Sequence, residues 1–124
     1  MSDSPDTERA DGRHLVVVVD ASDGHRRQVA QALLSFHRVA GFAEADEALA
    51  ALRLNRPAAL MVDRRVAPAG GEALVRQLRG DPGLAGLPVV FTDSGDEAEV
   101  RRAALAAGAD DALVKPYRRS TLIR

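Results

Sequence analysis

Leu60-Met61-Val62-Asp63 is the stretch that decides the fold predicted for this chain, because an apolar run ends there in a carboxylate. Such a run is typical of a buried strand in a parallel sheet that delivers one acid to the sheet edge. Two glycines, Gly70 and Gly71, then allow a tight loop before the next helix. An isolated Asp63 would be read as a turn residue. Whether Asp63 belongs to a functional site therefore depends on which residues end the other predicted strands.

The same pattern of an apolar strand followed by an amphipathic helix recurs along the chain. Continuous β-branched segments are typical of central parallel strands, and the low apolar content of residues 38–40 indicates an edge strand. The five predicted strands cover residues 14–19, 38–40, 58–62, 88–92 and 112–114. Their alternation with helices predicts an α/β domain, a doubly wound parallel sheet with helices on both faces.

Capping residues and apolar spacing predict the first two helices. Ser22 or Asp23 is the predicted cap of the first helix, and Asp46 is the predicted cap of the second. The second helix should stop before Pro57, since the residue preceding a proline disfavours helical geometry. The predicted apolar face of the first helix consists of Val29, Ala30, Leu33, Leu34 and Phe36.

The remaining helices are predicted by the same signals. Gly71 or Glu72 opens the third helix. Residues 94–97 have the form of a capping box for the fourth, which Gly108 closes. For a fifth helix the chain offers only a first turn, residues 120–124, so the last helix is predicted to be truncated.

The carboxyl ends of the predicted strands carry an unusual set of side chains. In open α/β sheets these ends lie at one edge, where ligands bind. Lys115 is the only lysine among 17 basic residues, so a chain that otherwise uses arginine keeps a compact ammonium at one position. The strand-end residues are Asp20, Asp63, Thr92 with Asp93, and Lys115. We predict that they form one site.

Composition excludes several classes of protein. The 124 residues contain no cysteine, which excludes a disulfide scaffold, a thiolate nucleophile and a cysteine metal site. A net charge of −1 gives no basic field for direct nucleic-acid binding. No apolar run has the length of a membrane span or the form of a signal peptide. We expect a cytoplasmic protein with no membrane contact, in which residues 1–12 are a disordered tail and residues 13–124 the domain.

The chain resembles the receiver domains of bacterial two-component response regulators. The resemblance rests on Val62-Asp63 followed by Gly71, on Leu87-Pro88-Val89-Val90, and on the segment from Ala107 to Pro116. It covers nearly everything from His14 to Ile123. It implies a (βα)5 flavodoxin-like sheet with strand order 2-1-3-4-5.

The resemblance also implies a signalling function rather than an enzymatic one. Asp63 would accept a phosphoryl group from a histidine kinase or phosphotransfer protein, with Lys115 supplying a positive charge. Mg²⁺ would be held by Asp20, Asp63 and the backbone carbonyl of Arg65. The peptide bond between Lys115 and Pro116 would be cis. Formation of a homodimer is compatible with the family.

Three positions depart from the family pattern. Ala21 stands where a second acid is expected to bind the metal directly. Asp93 stands where a hydroxyl is expected, and only a one-residue shift would bring Thr92 or Ser94 into that role; Asp93 could instead pair with Lys115. Ala112 replaces an aromatic residue that often reports phosphorylation.

These departures leave two functions open. The first is a phosphorylatable receiver in which Asp63 reacts. The second is a degenerate receiver that acts as a phosphorylation-independent interaction or dimerisation module. The three histidines, His14, His25 and His37, lack ligand spacing and are predicted to lie on the surface or at strand edges.

Overall fold

The computed structural model describes residues 14–117 and Leu122. The predicted tail over residues 1–12 and, apart from Leu122, the predicted start of a fifth helix over residues 120–124 lie outside the described residues.

Five strands and four helices alternate along the described chain. The strands are β1 (His14–Val19), β2 (His37–Phe42), β3 (Ala59–Asp63), β4 (Val89–Ser94) and β5 (Asp111–Lys115). The helices are α1 (Asp23–Leu33), α2 (Ala45–Leu54), α3 (Gly71–Arg79) and α4 (Glu97–Ala107). All strand pairings are parallel and the order is β2-β1-β3-β4-β5, which confirms the predicted flavodoxin-like topology.

Helices cover both faces of the sheet because alternate strand side chains point to opposite sides. On one face, α2, α3 and α4 pack on β-strand residues such as Leu60, Val62 and Phe91 in the larger core cluster. On the other face, Val29 and Leu33 of α1 pack on a smaller cluster that contains Val18, Met61 and Tyr117. The weak second strand is an edge strand, as predicted, although it extends to Phe42.

Two predicted caps are wrong. The N-cap of α2 is Glu44, and Asp46 lies inside the first helical turn. Ser94 is the last residue of β4, because that strand runs two residues further than predicted. The cap of α4 is instead Asp96, whose carboxylate accepts a hydrogen bond from the Glu99 amide at 3.0 Å.

The predicted apolar face of α1 is wrong at its end. Val29 and Leu33 are buried, but Leu34 and Phe36 are 65% and 50% exposed. Leu34 still has helical dihedral angles but is rotated by about 100° around the helix axis from the buried Leu33. Phe36 follows the end of the helix, so helical spacing no longer applies to it. The predicted caps Ser22 of α1 and Gly108 after α4 are confirmed.

Candidate functional site

Three charged side chains meet at the carboxyl edge of the sheet and form an acid–lysine cluster, Asp20, Asp63 and Lys115. The Lys115 Nζ atom lies 2.8 Å from Asp20 Oδ2 and 2.9 Å from Asp63 Oδ1. Both aspartates are buried, and the lysine side chain is 11% exposed. Asp20 directly follows β1, and Asp63 and Lys115 end β3 and β5, so the parallel sheet itself brings together positions far apart in the chain.

Backbone amides orient both carboxylates of the cluster. Asp63 Oδ2 accepts a hydrogen bond from the Arg65 amide at 3.0 Å, and Asp20 Oδ1 accepts one from the Ser22 amide at 2.9 Å. Asp63 Oδ1 also accepts a hydrogen bond from the Thr92 hydroxyl at 3.2 Å. These hydrogen bonds hold each of the three carboxylate oxygens as an acceptor in a fixed direction.

The ammonium of Lys115 remains charged in this setting. Partial burial lowers the pKa of Lys115, but hydrogen bonds and charge attraction from Asp20 and Asp63 outweigh it, so the pKa is raised above 10.5. Lys115 therefore acts as a fixed cation beside the Asp63 carboxylate across the neutral pH range.

Asp93 belongs to a second group, the arginine–Asp93 cluster of Arg64, Arg65 and Asp93. Its carboxylate lies 3.5 Å from the Arg64 guanidinium and 3.7 Å from Arg65 Nε. Arg64 also pairs with Glu72 at 3.1 Å, and this hydrogen bond raises the pKa of Arg64. The pairing of Asp93 with Lys115 considered from the sequence is not formed, because Lys115 lies between Asp20 and Asp63.

Thr92 contacts the Asp63 carboxylate from the neighbouring strand β4. Its hydroxyl donates a hydrogen bond to Asp63 Oδ1 at 3.2 Å. Thr92 pairs with Asp63 in the register of β3 and β4, whereas Ser94 pairs with Lys115. The hydroxyl that contacts Asp63 is therefore Thr92, the first of the two candidates.

A cavity of about 350 Å³ opens beside the acid–lysine cluster. Residues of both clusters line this cavity. The peptide bond between Lys115 and Pro116 is cis, as the resemblance implied. The lining residues of the cavity are His25, Asp63, Arg65, Asp93, Ser94, Lys115 and Pro116. The cavity is large enough to admit a small anion next to the Asp63 carboxylate.

Three residues of the site were missed by sequence reasoning. His25 was predicted to be a surface residue, yet it lines the cavity and its Nδ1 lies 3.9 Å from Asp20 Oδ2. Tyr117 was not singled out, although it follows Lys115 by two residues, the spacing that keeps two side chains on one face of an extended chain. Arg64 follows Asp63 directly, but no sequence signal shows that it turns toward Asp93.

Comparison with known families decides what this domain is. Residues 16–124 match the model of the response regulator receiver domain, which is most of the chain. The chain belongs to the response regulator receiver domain family. Receiver domains are signalling modules of two-component systems, and this match gives no support to the alternative of a degenerate module.

Solved structures agree with this family and fold. The receiver domain is similar to the chemotaxis response regulator CheY4 of Vibrio cholerae, with 26% identity and a TM-score of 0.83 over 90% of this chain and 93% of that one. It is also similar to part of NtrX from Brucella abortus, with 28% identity and a TM-score of 0.79 over 88% of this chain and 25% of NtrX.

Two curated relatives are longer than this chain. "Probable transcriptional regulatory protein TcrX" of Mycobacterium tuberculosis is 29% identical over 111 residues, which is 88% of this chain and 47% of TcrX. Cyclic di-GMP phosphodiesterase response regulator RpfG of Xanthomonas campestris is 34% identical over 116 residues, 90% of this chain and 30% of RpfG. This receiver domain thus spans less than half the length of either relative.

The site offers only part of a donor set for the metal ion that the family implies. Mg²⁺ prefers oxygen ligands, is commonly bound through one or two carboxylates and keeps several waters. Asp20 and Asp63 offer two carboxylates, while Ala21 offers none. Within residues 14–117 and Leu122, no group of three or more His, Cys, Asp or Glu side chains could hold an ion. Any Mg²⁺ bound here would depend on two carboxylates that already contact Lys115.

None of the helices in the described part of the receiver domain is long and apolar enough to cross a membrane.

Proposed function

We propose that Asp63 accepts a phosphoryl group from a phosphohistidine of a histidine kinase or phosphotransfer protein. The observation that carries this proposal is the position of the Lys115 ammonium, 2.9 Å from an Asp63 oxygen that borders an open cavity. A carboxylate in this place is both oriented as a nucleophile and compensated by a neighbouring cation.

The transfer step makes one bond and breaks one. An Asp63 carboxylate oxygen bonds to phosphorus while the bond from phosphorus to the donor imidazole nitrogen breaks, and the electron pair stays on that nitrogen. The product is an acyl phosphate on Asp63. The role of Lys115 is to offset the negative charge that gathers as a phosphoryl group approaches a carboxylate.

Arg65 is proposed as a second cation for the phosphoryl group. Its amide already contacts Asp63, and its guanidinium lines the same cavity. The side chain is 74% exposed, so it has room to turn from Asp93 toward new phosphoryl oxygens. Guanidinium groups bind phosphoryl oxygens through paired hydrogen bonds, which suits Arg65 to this role.

Asp93 would repel an incoming phosphoryl group if its charge were not offset. Arg64 and Arg65 both lie within 4 Å of its carboxylate, so the charge is largely balanced within the arginine–Asp93 cluster. This supports Asp63, rather than Asp93, as the reacting acid. Asp93 shapes the cavity wall, and Thr92 orients the Asp63 carboxylate.

Mg²⁺ is part of the proposal. Asp20, Asp63 and the backbone carbonyl of Arg65 would hold the ion, which would offset charge on the phosphoryl oxygens. Because Ala21 supplies no carboxylate, we expect Mg²⁺ to bind weakly.

The test is intact-mass spectrometry after incubation with a small-molecule phosphodonor, with and without Mg²⁺. The expected result is one phosphoryl adduct that increases with Mg²⁺. Asp63→Asn should lose the adduct. Asp23→Asn is the matched control, because Asp23 is an exposed carboxylate of α1 paired with Arg26 and Arg27, and it should keep the adduct.

A folded wild-type sample that gains no phosphoryl group under any metal condition would rule out the proposed transfer. An adduct that persists in Asp63→Asn would show that another residue is the acceptor.

A further inference from the structure

We propose that His14 and His37 form a binding site for a divalent transition-metal ion of the class that imidazole favours, Zn²⁺, Ni²⁺ or Cu²⁺. These two residues are called the histidine pair below. The pair lies at the amino ends of the strands, and β1 separates it from the acid–lysine cluster by roughly 20 Å. The site is therefore independent of the proposed phosphoryl transfer.

The parallel register of β1 and β2 brings the two histidines together. His14 is the first residue of β1 and His37 is the first residue of β2, and they are direct partners across the two strands. Strands paired in this way lie about 4.8 Å apart. The sequence shows no ligand spacing for these histidines because they belong to different strands.

Both imidazole rings lie on the α1 side of the sheet. Val16 and Val18 of β1 and Val39 of β2 pack on the smaller core cluster on that side. Alternate residues of a strand share one face, and His14 and His37 are in step with these valines. Two imidazoles therefore project side by side from the same face.

The two rings are close enough to share one ion. Their centroids lie 6.1 Å apart, with the ring planes tilted by 47°. An imidazole nitrogen binds Zn²⁺ at about 2.0–2.1 Å, so two rings that share one ion have centroids roughly 5–6.5 Å apart. Both histidines are partly exposed, which gives the ion and its water ligands access from solvent.

His37 has a buried nitrogen that an ion can satisfy. Its Nδ1 atom is buried and forms no hydrogen bond within residues 14–117 and Leu122. Buried polar atoms nearly always have a partner, and a bound ion is one of the partners that such an atom accepts. A cavity of about 510 Å³ opens beside His37 and provides room for a hydrated ion.

The donor atoms select the ion. Imidazole nitrogen suits Zn²⁺, Ni²⁺ and Cu²⁺, whereas Mg²⁺ prefers oxygen ligands. The pair fills two coordination positions and water fills the others. This agrees with the finding that the described part of the chain contains no group of three or more ligand side chains that could hold an ion.

An ion held by the pair clamps the edge strand to the sheet. β2 is the edge strand next to β1, and each strand contributes one ligand. An ion that binds the folded chain better than the unfolded chain stabilises the fold by mass action. Zn²⁺ and Ni²⁺ should therefore raise the midpoint of thermal unfolding in the wild type, and they should not raise it in His14→Gln.

The test is isothermal titration calorimetry of the full chain without a histidine tag, with Ni²⁺ and with Zn²⁺. His14→Gln and His37→Gln should each lower the affinity at least tenfold, since even the loss of an outer-shell partner costs about 10–100-fold. His25→Gln is the matched control and should keep the wild-type affinity, because its ring lies beside Asp20. Excess Mg²⁺ should not displace the ion.

A measurement on the wild type covers the case in which a variant of the pair does not fold. The chain contains three histidines, so nitrogen NMR resolves three imidazoles. Zn²⁺ should shift the signals of two imidazoles and leave the third unchanged. The spectrum of His25→Gln identifies that third ring.

Each outcome decides the proposal. Loss of affinity in both His14→Gln and His37→Gln, with retention in His25→Gln, supports the site. Loss in His25→Gln, Zn²⁺ shifts at the His25 ring or displacement by Mg²⁺ places the ion at the acid–lysine cluster and overturns it. Loss in only one variant of the pair, or no binding by the folded wild type, overturns it as well. None of these results changes the test of Asp63 as phosphoryl acceptor.

Discussion

Lys115, Asp20 and Asp63 depend on one another because all three charges lie below the surface. Taking an ion out of water costs several kcal/mol, and that cost is offset only where a partner of opposite charge and good geometry is present. The Nζ of Lys115 lies within 3 Å of both carboxylates, so one ammonium serves two buried acids. The three charges therefore stabilise one another, and removing one of them leaves a buried charge without its partner.

Lys115→Met should destabilise the domain by roughly 3–5 kcal/mol, because it leaves two buried carboxylates facing each other without a counter-ion. Urea denaturation followed by circular dichroism measures the change. Arg27→Met is the control, since Arg27 pairs with Asp23 on the exposed face of α1, where an ion pair contributes about 0–1 kcal/mol. Adding Asp63→Asn to Lys115→Met should restore part of the loss. Equal stability of Lys115→Met and Arg27→Met would contradict the mutual dependence.

Tyr117 should titrate well above an ordinary tyrosine. Burial raises its pKa from 10.0 to about 12, because the phenolate would lose its hydration in the smaller core cluster. As the only tyrosine, it can be followed by the near-ultraviolet absorbance of tyrosinate. The folded protein should show a midpoint near 12 and the chain in denaturant a midpoint near 10. Coincident midpoints would show that the ring is open to solvent.

At the level of elements, the junction between the β3–α3 loop and α3 has no room for a side chain at Gly71. A Cβ on Gly71 would lie 2.5 Å from the Asp63 carbonyl oxygen and 3.1 Å from Arg64 Cα. The Gly71 amide also donates to the Arg64 carbonyl at 2.9 Å. The loop that positions Asp63 and Arg65 thus requires glycine at the start of α3.

Gly71→Ala should destabilise the domain by about 2–4 kcal/mol, because backbone atoms at the Asp63 end of β3 must shift to admit the methyl group. Thermal unfolding followed by circular dichroism is the measurement. Gly24→Ala in α1 is the matched control: its Cβ would meet only Ser22 Oγ, at 3.8 Å. Alanine favours a helix more than glycine does, so Gly24→Ala should be neutral or stabilising. A Gly71→Ala variant as stable as Gly24→Ala would contradict the close packing.

Arg79 joins the end of α3 to the segments that precede β4 and β5. Its guanidinium donates to the carbonyls of Leu87 and Gly108 at 2.6 and 2.9 Å, and it pairs with Asp110 at 3.0 Å. Asp110 in turn accepts a hydrogen bond from the Val89 amide at 2.8 Å. One side chain therefore holds the entrances of two strands together.

Arg79→Ala should cost about 1–3 kcal/mol, since it leaves the partly buried Leu87 carbonyl without this donor and removes the cation paired with Asp110. Arg76→Ala, an exposed position one turn earlier in α3, is the control and should stay within about 0.5 kcal/mol of the wild type. Urea denaturation of both variants makes the comparison. A loss of similar size in the two would mean that the lost helix residue, rather than the bridging contacts, is responsible.

For the whole molecule, two groups link stability to alkaline pH. The folded pKa values of Lys115 and Tyr117 are both raised above their ordinary values of 10.5 and 10.0. Between the unfolded and folded pKa values the folded chain keeps protons that the unfolded chain has released. The stabilising contribution of each group is therefore complete below its unfolded pKa and is lost as the pH rises through its folded pKa.

The free energy of unfolding should fall as the pH rises above about 10, with Tyr117 contributing roughly 2–3 kcal/mol of loss by about pH 12. Denaturant unfolding at several alkaline pH values measures the slope. Tyr117→Phe, which has no ionisable hydroxyl, should show a shallower slope. A slope unchanged by Tyr117→Phe would show that Tyr117 is not among the groups that bind protons more tightly in the folded state.

Much of the fold was predictable because it depends on local patterns. The strand over residues 14–19 and the central strand ending at Asp63 are continuous apolar segments, whereas the register that aligns Asp63 with Thr92 comes from the structure alone. Predictions failed at the starts of helices. Asp46 and Ser94 are residue types that often cap helices, but neither occupies the N-cap position. A cap is decided by where the chain leaves the sheet, which residue type alone does not specify.

The amino-acid sequence by itself determined the alternation of strands and helices, the strand-end acids and the single lysine, because periodicity and residue type are local properties. Only the tertiary structure decided the pairings among them. Lys115 bridges Asp20 and Asp63, Asp93 turns to Arg64 and Arg65, and Thr92 donates a hydrogen bond to Asp63. These partners are far apart in the sequence. Charged side chains at a crowded sheet edge pair according to their distance and burial in three dimensions.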